Sequence, residues 1–285
     1  MVKIILFYKY VNIEHPLSFS NQQTKRLKLL NLKGRLIISR EGINGTLSGR
    51  EEDINDYEKS LIQDKKFEDI VFKESFFKEE VFPRLSVKIR DEIVSLKKPI
   101  DINNKEKKGK YIDIDKFHEI IKNKSDEYVI LDARNNYESN IGRFKNAITP
   151  DIDNFRDFPK VLKDIKKYKN KKIVMYCTGG VRCEKASSYL IKKGYKNVYQ
   201  LKDGILNYIN YYPDDFEGKC YVFDKRIAVG VLSNNSIISK CTYCSNKSDR
   251  YVNCENKSCN KQFIVCTECE SKFNKFCSVK CMSKI

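Results

Sequence analysis

The sequence has no tryptophan, only two histidines and no apolar run long enough to cross a bilayer. The histidine shortage excludes most. His15 and His118 lie far apart in the chain, which argues against a 2-His-1-carboxylate iron site and against a Ser–His or Cys–His catalytic pair. No cleavable leader is expected either. The opening MVKIILFYKY has a lysine and an apolar run but no small-residue cleavage site, so it reads as the first strand of a cytoplasmic protein. Acidic residues are also scarce, 38 against 55 lysines and arginines, giving a net charge of +17 and a pI near 9.2. That imbalance favours a polyanionic partner, nucleic acid first. Most of the excess is lysine, which also accumulates on solvated faces.

What is present is globular: 285 residues, 41% hydrophobic and 33% charged, enough for two or three domains. Eleven cysteines without a secretion signal argue against a disulfide framework. Eight of them form four pairs near the end, Cys241/Cys244, Cys254/Cys259, Cys266/Cys269 and Cys277/Cys281. Such spacing suits two structural Cys₄ zinc sites, closed to substrate. The metal would supply the folding energy of a segment too short for a core of its own. Pairing in sequence order is the first expectation; a crossed order is the alternative.

Residues 1–95 alternate strand and helix patterns. Strands are expected at Lys3–Tyr10, Arg35–Ser39, Asp69–Phe77 and Arg84–Ile93, with helices at Leu17–Leu32 and Glu51–Leu61. Asn44-Gly45 reads as a hairpin turn. The order is that of a ferredoxin-like, acylphosphatase-like split motif with an extra strand. Arg40 and Arg90 are its candidate RNA-binding residues. Residues 96–110 are charged and read as a linker. Residues 111–218 carry strands at Tyr128–Leu131, Phe144–Ile148, Ile173–Tyr176 and Val198–Leu201. Between them lie helix patterns at Lys116–Lys122 (capped by Asp115), Asn154–Lys167, Glu184–Lys193 and Asp203–Tyr211, which implies a parallel sheet covered on both faces. Residues 219–285 hold a connector, Tyr221–Val231, and the zinc-type segment.

The chain is organised around IVMYCTGGVRCEK, Ile173–Lys185. An apolar strand stops at Cys177, and Thr178, Gly179, Gly180 and Val181 form a tight loop. Arg182 and Cys183 follow, ahead of the helix pattern at Glu184–Lys193. Converging loop N–H groups and a helix N-terminus make an anion site, and a cysteine there, beside an arginine, has a depressed pKa. Alone, Cys177 would read as a buried strand-end cysteine; the Gly-Gly pair and Arg182 reverse that reading. Four residues separate Cys177 from Arg182, one fewer than in cysteine phosphatases. This shorter loop resembles that of the rhodanese domain, which cradles a persulfide. Asp132-Ala133-Arg134, Gly142–Ala147 and Leu201–Ile205 match other rhodanese motifs, with Asp203 where the family usually has glycine.

The resemblance covers the whole chain. EGINGT (Glu41–Thr46), FPRLSVKIRDEIV (Phe82–Val94), CTGGVRCEKA (Cys177–Ala186), CYVFDKR (Cys220–Arg226) and the cysteine-rich end resemble the rhodanese-containing tRNA uridine hydroxylases. That resemblance implies oxygen-dependent conversion of the wobble uridine to 5-hydroxyuridine. Cys177 would be the essential nucleophile with Arg182 beside it, and Cys183 a redox or structural partner. Molecular oxygen would be co-substrate and the tRNA anticodon arm the partner. No flavin or haem signature is evident, and no membrane partner is expected. Two other readings stay open: a sulfurtransferase carrying a Cys177 persulfide, and a non-catalytic RNA-binding protein.

Overall fold

The computed structural model describes residues 1–102, 107–123, 126–230, 236–259 and 261–283. The middle of the expected linker (103–106) and Val231 lie outside the described residues. The first part runs β1 (Val2–Tyr10), α1 (Pro16–Leu29), β2 (Lys33–Ser39), β3 (Gly42–Gly49), α2 (Glu51–Ile62), β4 (Phe72–Phe77) and β5 (Leu85–Ile89). Its sheet order is β4-β1-β3-β2-β5. The first four strands pair antiparallel, and β5 joins β2 in parallel as the extra strand. Strand alternation gives the sheet two characters. Ile5, Phe7, Leu36, Ile38, Ile43 and Leu47 are buried in one core with Leu27 of α1 and Ile54, Tyr57 and Leu61 of α2. Leu6, Arg35, Ile37, Asn44 and Thr46 line a cavity on the other face.

The expected turn at Asn44-Gly45 is wrong. Both residues sit inside β3, opposite Ile37 and Leu36, and the chain reverses at Arg40-Glu41. Gly45 is there for room: a Cβ would stand 2.5 Å from the Phe7 ring. Gly42 takes the strained position instead, at φ +143°.

The second part contains β6 (Lys110–Ile112), α3 (Ile114–Asn123), β7 (Tyr128–Asp132), α4 (Asn136–Ser139), β8 (Gly142–Phe144), α5 (Leu162–Ile165), β9 (Lys172–Tyr176), α6 (Val181–Lys192), β10 (Val198–Leu201) and α7 (Gly204–Tyr208). Strands β6-β10-β9-β7 form a parallel sheet with β9 interior, and buried clusters lie on both of its faces. This is the α/β arrangement expected from the sequence. Three local expectations change. Asp113, not Asp115, caps α3, accepting from the Lys116 N–H at 2.8 Å. The strand expected at Phe144–Ile148 breaks at Asn146, which is left-handed at φ 62°. Only Ile148 then bridges Leu131, while β8 pairs with β11 (Phe216–Gly218). The helix expected at Asn154–Lys167 is a 3₁₀ turn (Phe155–Val161), the single turn α5 and a second 3₁₀ turn (Lys166–Tyr168). Pro159, which has no N–H to give, lies inside the first.

The last part has two short antiparallel pairs, β12 (Cys220–Tyr221) with β13 (Ala228–Val229) and β14 (Tyr251–Asn253) with β15 (Gln262–Ile264). Helices α8 (Thr267–Phe273) and α9 (Val279–Met282) close it. Among the described residues, no helix is long and apolar enough to cross a membrane.

Candidate active site and metal centres

Cys177 follows the last residue of β9, at the carboxyl edge of a parallel sheet, where such folds gather their ligands. The loop carbonyls are anchored from α7: Ile205 N–H donates to the Cys177 oxygen at 3.0 Å and Leu206 N–H to that of Thr178 at 3.2 Å. Gly204 must be glycine, since a Cβ would lie 2.6 Å from the Cys177 carbonyl and 2.9 Å from the Gly180 nitrogen. Asp203 just before it is left-handed, at φ 63°. The usual glycine is thus replaced by one of the few side chains that tolerate this region, and its carboxylate meets Lys73 of β4 at 3.1 Å.

Within the loop, the Gly180 N–H donates to the Cys177 sulfur at 3.1 Å. Gly180 has φ +100°, which an L-side chain there would strain. Burial by itself would push the Cys177 thiol up. A hydrogen bond from the Cys183 thiol, the Arg182 charge and the backbone N–H groups of Arg182 and Cys183 outweigh it and bring the pKa down to about 5. Cys183 is driven the opposite way, by burial first and then by the neighbouring thiolate, and stays protonated. One cysteine is ionised and the next turn's cysteine donates to it.

Arg182 does not present a free guanidinium. Both its terminal nitrogens engage Glu138, the second at 2.6 Å, and Thr178 Oγ1 lies 3.3 Å away. Glu138 is fully buried and also accepts from Thr178 Oγ1 and the Asn135 N–H, each at 3.2 Å. Burial would raise its pKa, but Arg182 and then Arg134 hold it below the usual carboxylate range. Sequence reading missed this residue. The Asn135-x-x-Glu138 spacing is a helix-start signature and was there to be seen; its pairing with Arg182, 44 positions away, was not. Glu138→Gln leaves a buried guanidinium without its counter-charge. It is expected to destabilise the fold by about 3–5 kcal/mol, read as a lowered denaturant midpoint.

The open face of the first sheet roofs the loop. A Cβ on Gly179 would come within 2.5 Å of Leu6, and Tyr10 donates to the Val181 carbonyl at 3.1 Å. Glu184 accepts from Tyr8 at 3.3 Å and from Tyr111, and pairs with Lys108 at 3.3 Å. Buried Lys185 bridges Glu41 at 2.7 Å and Glu92 at 2.6 Å. Glu92 in turn accepts from the Leu96 and Lys97 N–H groups at 3.0 and 2.9 Å. The Glu-Lys pair after Cys183 therefore ties the loop helix to the EGINGT turn and to the segment after β5.

Between roof and loop lies a cavity of about 600 Å³, lined by Cys177, Thr178, Gly179, Val181 and Arg182 below and by Arg35, Ile37, Asn44, Thr46 and Arg90 above. Tyr137, Phe155 and Phe223 give it aromatic walls. Arg90 is at this site; Arg40 is exposed on the turn between β2 and β3 and is not among the lining residues. Arg35, which sequence reading passed over, is.

The eight late cysteines gather into two groups of four, with all sulfurs of a group within 4.8 Å of one another. The grouping is crossed: Cys241, Cys244, Cys266 and Cys269 form one set, and Cys254, Cys259, Cys277 and Cys281 the other. Pairing in sequence order is thereby corrected. Antiparallel β14 and β15 put Cys254 and Cys266 at opposite ends of a hairpin, and the Thr242 N–H donates to the Ile264 carbonyl at 2.9 Å, which sets the Cys241/Cys244 pair beside Cys266 and away from Cys254. The sulfur separations of 3.7 Å (Cys244–Cys266), 3.7 Å (Cys259–Cys277) and 3.5 Å (Cys277–Cys281) match the edge of a tetrahedron of thiolates about 2.3 Å from a central zinc. The donors present fit that ion.

Three family profiles tile the chain: a UPF0176 acylphosphatase-like domain over residues 2–93, a rhodanese-like domain over 113–211 and a rhodanese C-terminal domain over 217–282. Among curated proteins, the tRNA uridine(34) hydroxylase of Cytophaga hutchinsonii is 42% identical over 98% of this chain and 89% of its own length. The protein of the same name from Aster yellows witches'-broom phytoplasma is 44% identical over 98% and 91%. That of Bacillus mycoides is 42% identical over 98% and 88%.

Proposed function

Because the chain belongs to the tRNA uridine(34) hydroxylase family, we propose that Cys177 is the nucleophile that prepares the wobble uracil for oxygen. The protein is a tRNA-modifying hydroxylase, an oxidoreductase by class. The observation that carries the assignment of Cys177 is its place in a cavity of about 600 Å³ that its loop shares with the first sheet, with its thiol brought down to about 5 by the loop.

Uracil C6 is electrophilic through conjugation with the C4 carbonyl. Addition of the Cys177 thiolate there forms a C–S bond and moves the electron pair to C5 and O4. C5 then attacks an oxygen donor, and loss of the C5 proton with expulsion of the thiolate restores the ring as 5-hydroxyuracil. With dioxygen as donor, the second oxygen atom leaves as water and takes two electrons and two protons from a reductant. Arg182, already neutralised by Glu138, acts on the thiolate through its charge, and the loop N–H groups hold the sulfur. Cys183 supplies the donor hydrogen bond. The anticodon arm is the natural partner because the wobble base is unpaired and enters a pocket at little unstacking cost. A tRNA substrate puts the reaction in the cytoplasm. The two cysteine sets hold structural zinc, which organises the last segment and leaves no open coordination position for substrate.

Nucleoside analysis of tRNA incubated with the protein under air and under nitrogen tests this. We expect 5-hydroxyuridine in air only. Formation of a thiolated base at equal rates in both atmospheres would replace hydroxylation by sulfur transfer.

A further inference from the structure

We propose that Arg35 and Arg90 form a phosphodiester-binding pair at the mouth of the Cys177 cavity, holding the RNA backbone on either side of the reacting nucleotide. The inference rests on the reading above, that the uracil ring enters this cavity.

At about 600 Å³ the cavity lies in the range of small-ligand pockets. It accepts a single nucleotide and excludes an anticodon loop, so the phosphates flanking that nucleotide stay at its rim. The charges there are unequally committed. Arg182 is taken by Glu138, and Glu92 by Lys185. Arg35 and Arg90 are exposed and enter no ion pair among the described residues; Arg90 donates only to its neighbour, the Ile89 carbonyl, at 2.9 Å. Asp91 is the lining carboxylate left outside those pairs. Two uncommitted guanidinium groups beside a thiolate would be an odd use of charge unless an anion arrives, and the planar fork of arginine suits phosphate oxygens.

Strand register fixes their separation. Arg35 pairs with Ser86 and Ile38 with Ile89, and the Arg90 N–H donates to the Ile38 carbonyl at 3.0 Å. Arg90 therefore lies level with Ser39, four residues beyond Arg35 on the adjacent strand, about 13 Å along the strand direction. Two extended arginine arms close that span onto phosphates of neighbouring nucleotides. Ile37, between them, gives the apolar floor on which the ribose can rest, and Asn44 and Thr46 continue the same face toward Cys177. Arg40 is absent from this lining and takes no part.

Arg35→Gln and Arg90→Gln, singly and together, separate this role from a structural one. We expect each to raise the KM for tRNA about ten-fold with kcat nearly unchanged, the size of one lost charge-assisted contact. The salt dependence of log(1/KM) should become shallower by about 0.7 per arginine. The exposed Lys163→Gln should leave both unchanged. A methylphosphonate replacing one of the phosphates flanking uridine 34 should weaken the wild-type reaction but not that of the arginine variant facing it. Unchanged KM and salt slope in both arginine variants would overturn the proposal, as would a fall in kcat at constant KM. If hydroxylation survives Cys177→Ser, the underlying reading fails. If it still requires Cys177 but ignores Arg35 and Arg90, only the phosphate pair is lost.

Discussion

Cys177→Ser is expected to abolish 5-hydroxyuridine formation, by at least about a thousand-fold, while tRNA binding persists. Serine keeps the size of the side chain and can still accept the Gly180 N–H. What it loses is ionisation. The loop brings a thiol down to about 5, but an alcohol starts so much higher that the same environment leaves it protonated, and a neutral hydroxyl does not add to C6. The pH profile follows from the same group. The wild-type rate should be flat on this limb above about pH 6 and fall as pH drops through 5, where the thiolate takes up its proton. Stability moves in the same direction. The folded pKa is depressed below the unfolded one, so the unfolded chain binds the extra proton between about pH 5 and 9. The thiolate's contribution to folding is full above that window and is lost as pH falls through 5. A substrate bearing 5-fluorouridine at position 34 supplies an independent readout. With fluorine on C5 the final loss of a proton is blocked, so the wild type should accumulate a covalent enzyme–RNA species seen by denaturing electrophoresis and mass measurement. The serine variant should form none. Hydroxylation at a normal rate by Cys177→Ser would remove the thiolate from the mechanism.

How much of this could be read beforehand depends on how local each determinant is. The loop was legible because its chemistry lies within six consecutive residues, and the four-residue gap between Cys177 and Arg182 sets ring size before any folding is known. The parallel sheet was legible from its apolar runs, and the split β-α-β motif from the alternation of its elements. Features that depend on contacts distant in sequence were not. Glu138 is an ordinary helix-start carboxylate until α4 and α6 set it against Arg182. Lys185 looks like a solvated helix lysine until Glu41 and Glu92 enclose it from another sheet. Asn44-Gly45 carries the composition of a turn, and tertiary crowding against Phe7 overrides it. Arg35 and Arg40 are indistinguishable as letters; only the pleat and the strand end place one at the cavity and the other in solvent. The motifs that resemble the family are in large part interface residues, which explains why they are scattered along the chain yet meet around one cavity.

Stripping metal from the last segment is the second large effect. Four cysteines were expected in each half of it, and in that order the two sites would behave as separate modules. The crossed grouping couples them: each site takes one pair from before and one from after β15. Its apolar support is small, with Phe263, Val265 and Phe276 the buried non-cysteine members of its cluster, so under the zinc reading proposed above ordering this segment would rely on the ions, worth about 10–16 kcal/mol each in zinc-finger peptides. Cys266→Ser opens one site directly and frees the hairpin that positions Cys254 of the other. Zinc content should therefore fall from two ions per chain to well below one, where independent sites would retain one. Amide exchange across residues 240–283 should accelerate throughout. The effect should also reach the active site, because the segment leans on its wall: Tyr251 donates to the Tyr137 carbonyl, Tyr221 packs on Tyr137 with ring centres 5.1 Å apart, and Tyr221 donates to Gln262 at 2.8 Å. Tyr137 lines the cavity. Hydroxylation should drop with loss of metal while the alkylation rate of Cys177 at neutral pH stays near wild type, since among the described residues no hydrogen bond or ion pair joins the loop or the Glu138 side chain to the cysteine sets. Retention of one tightly held zinc in Cys266→Ser, with protection intact around the second site, would contradict the crossed arrangement.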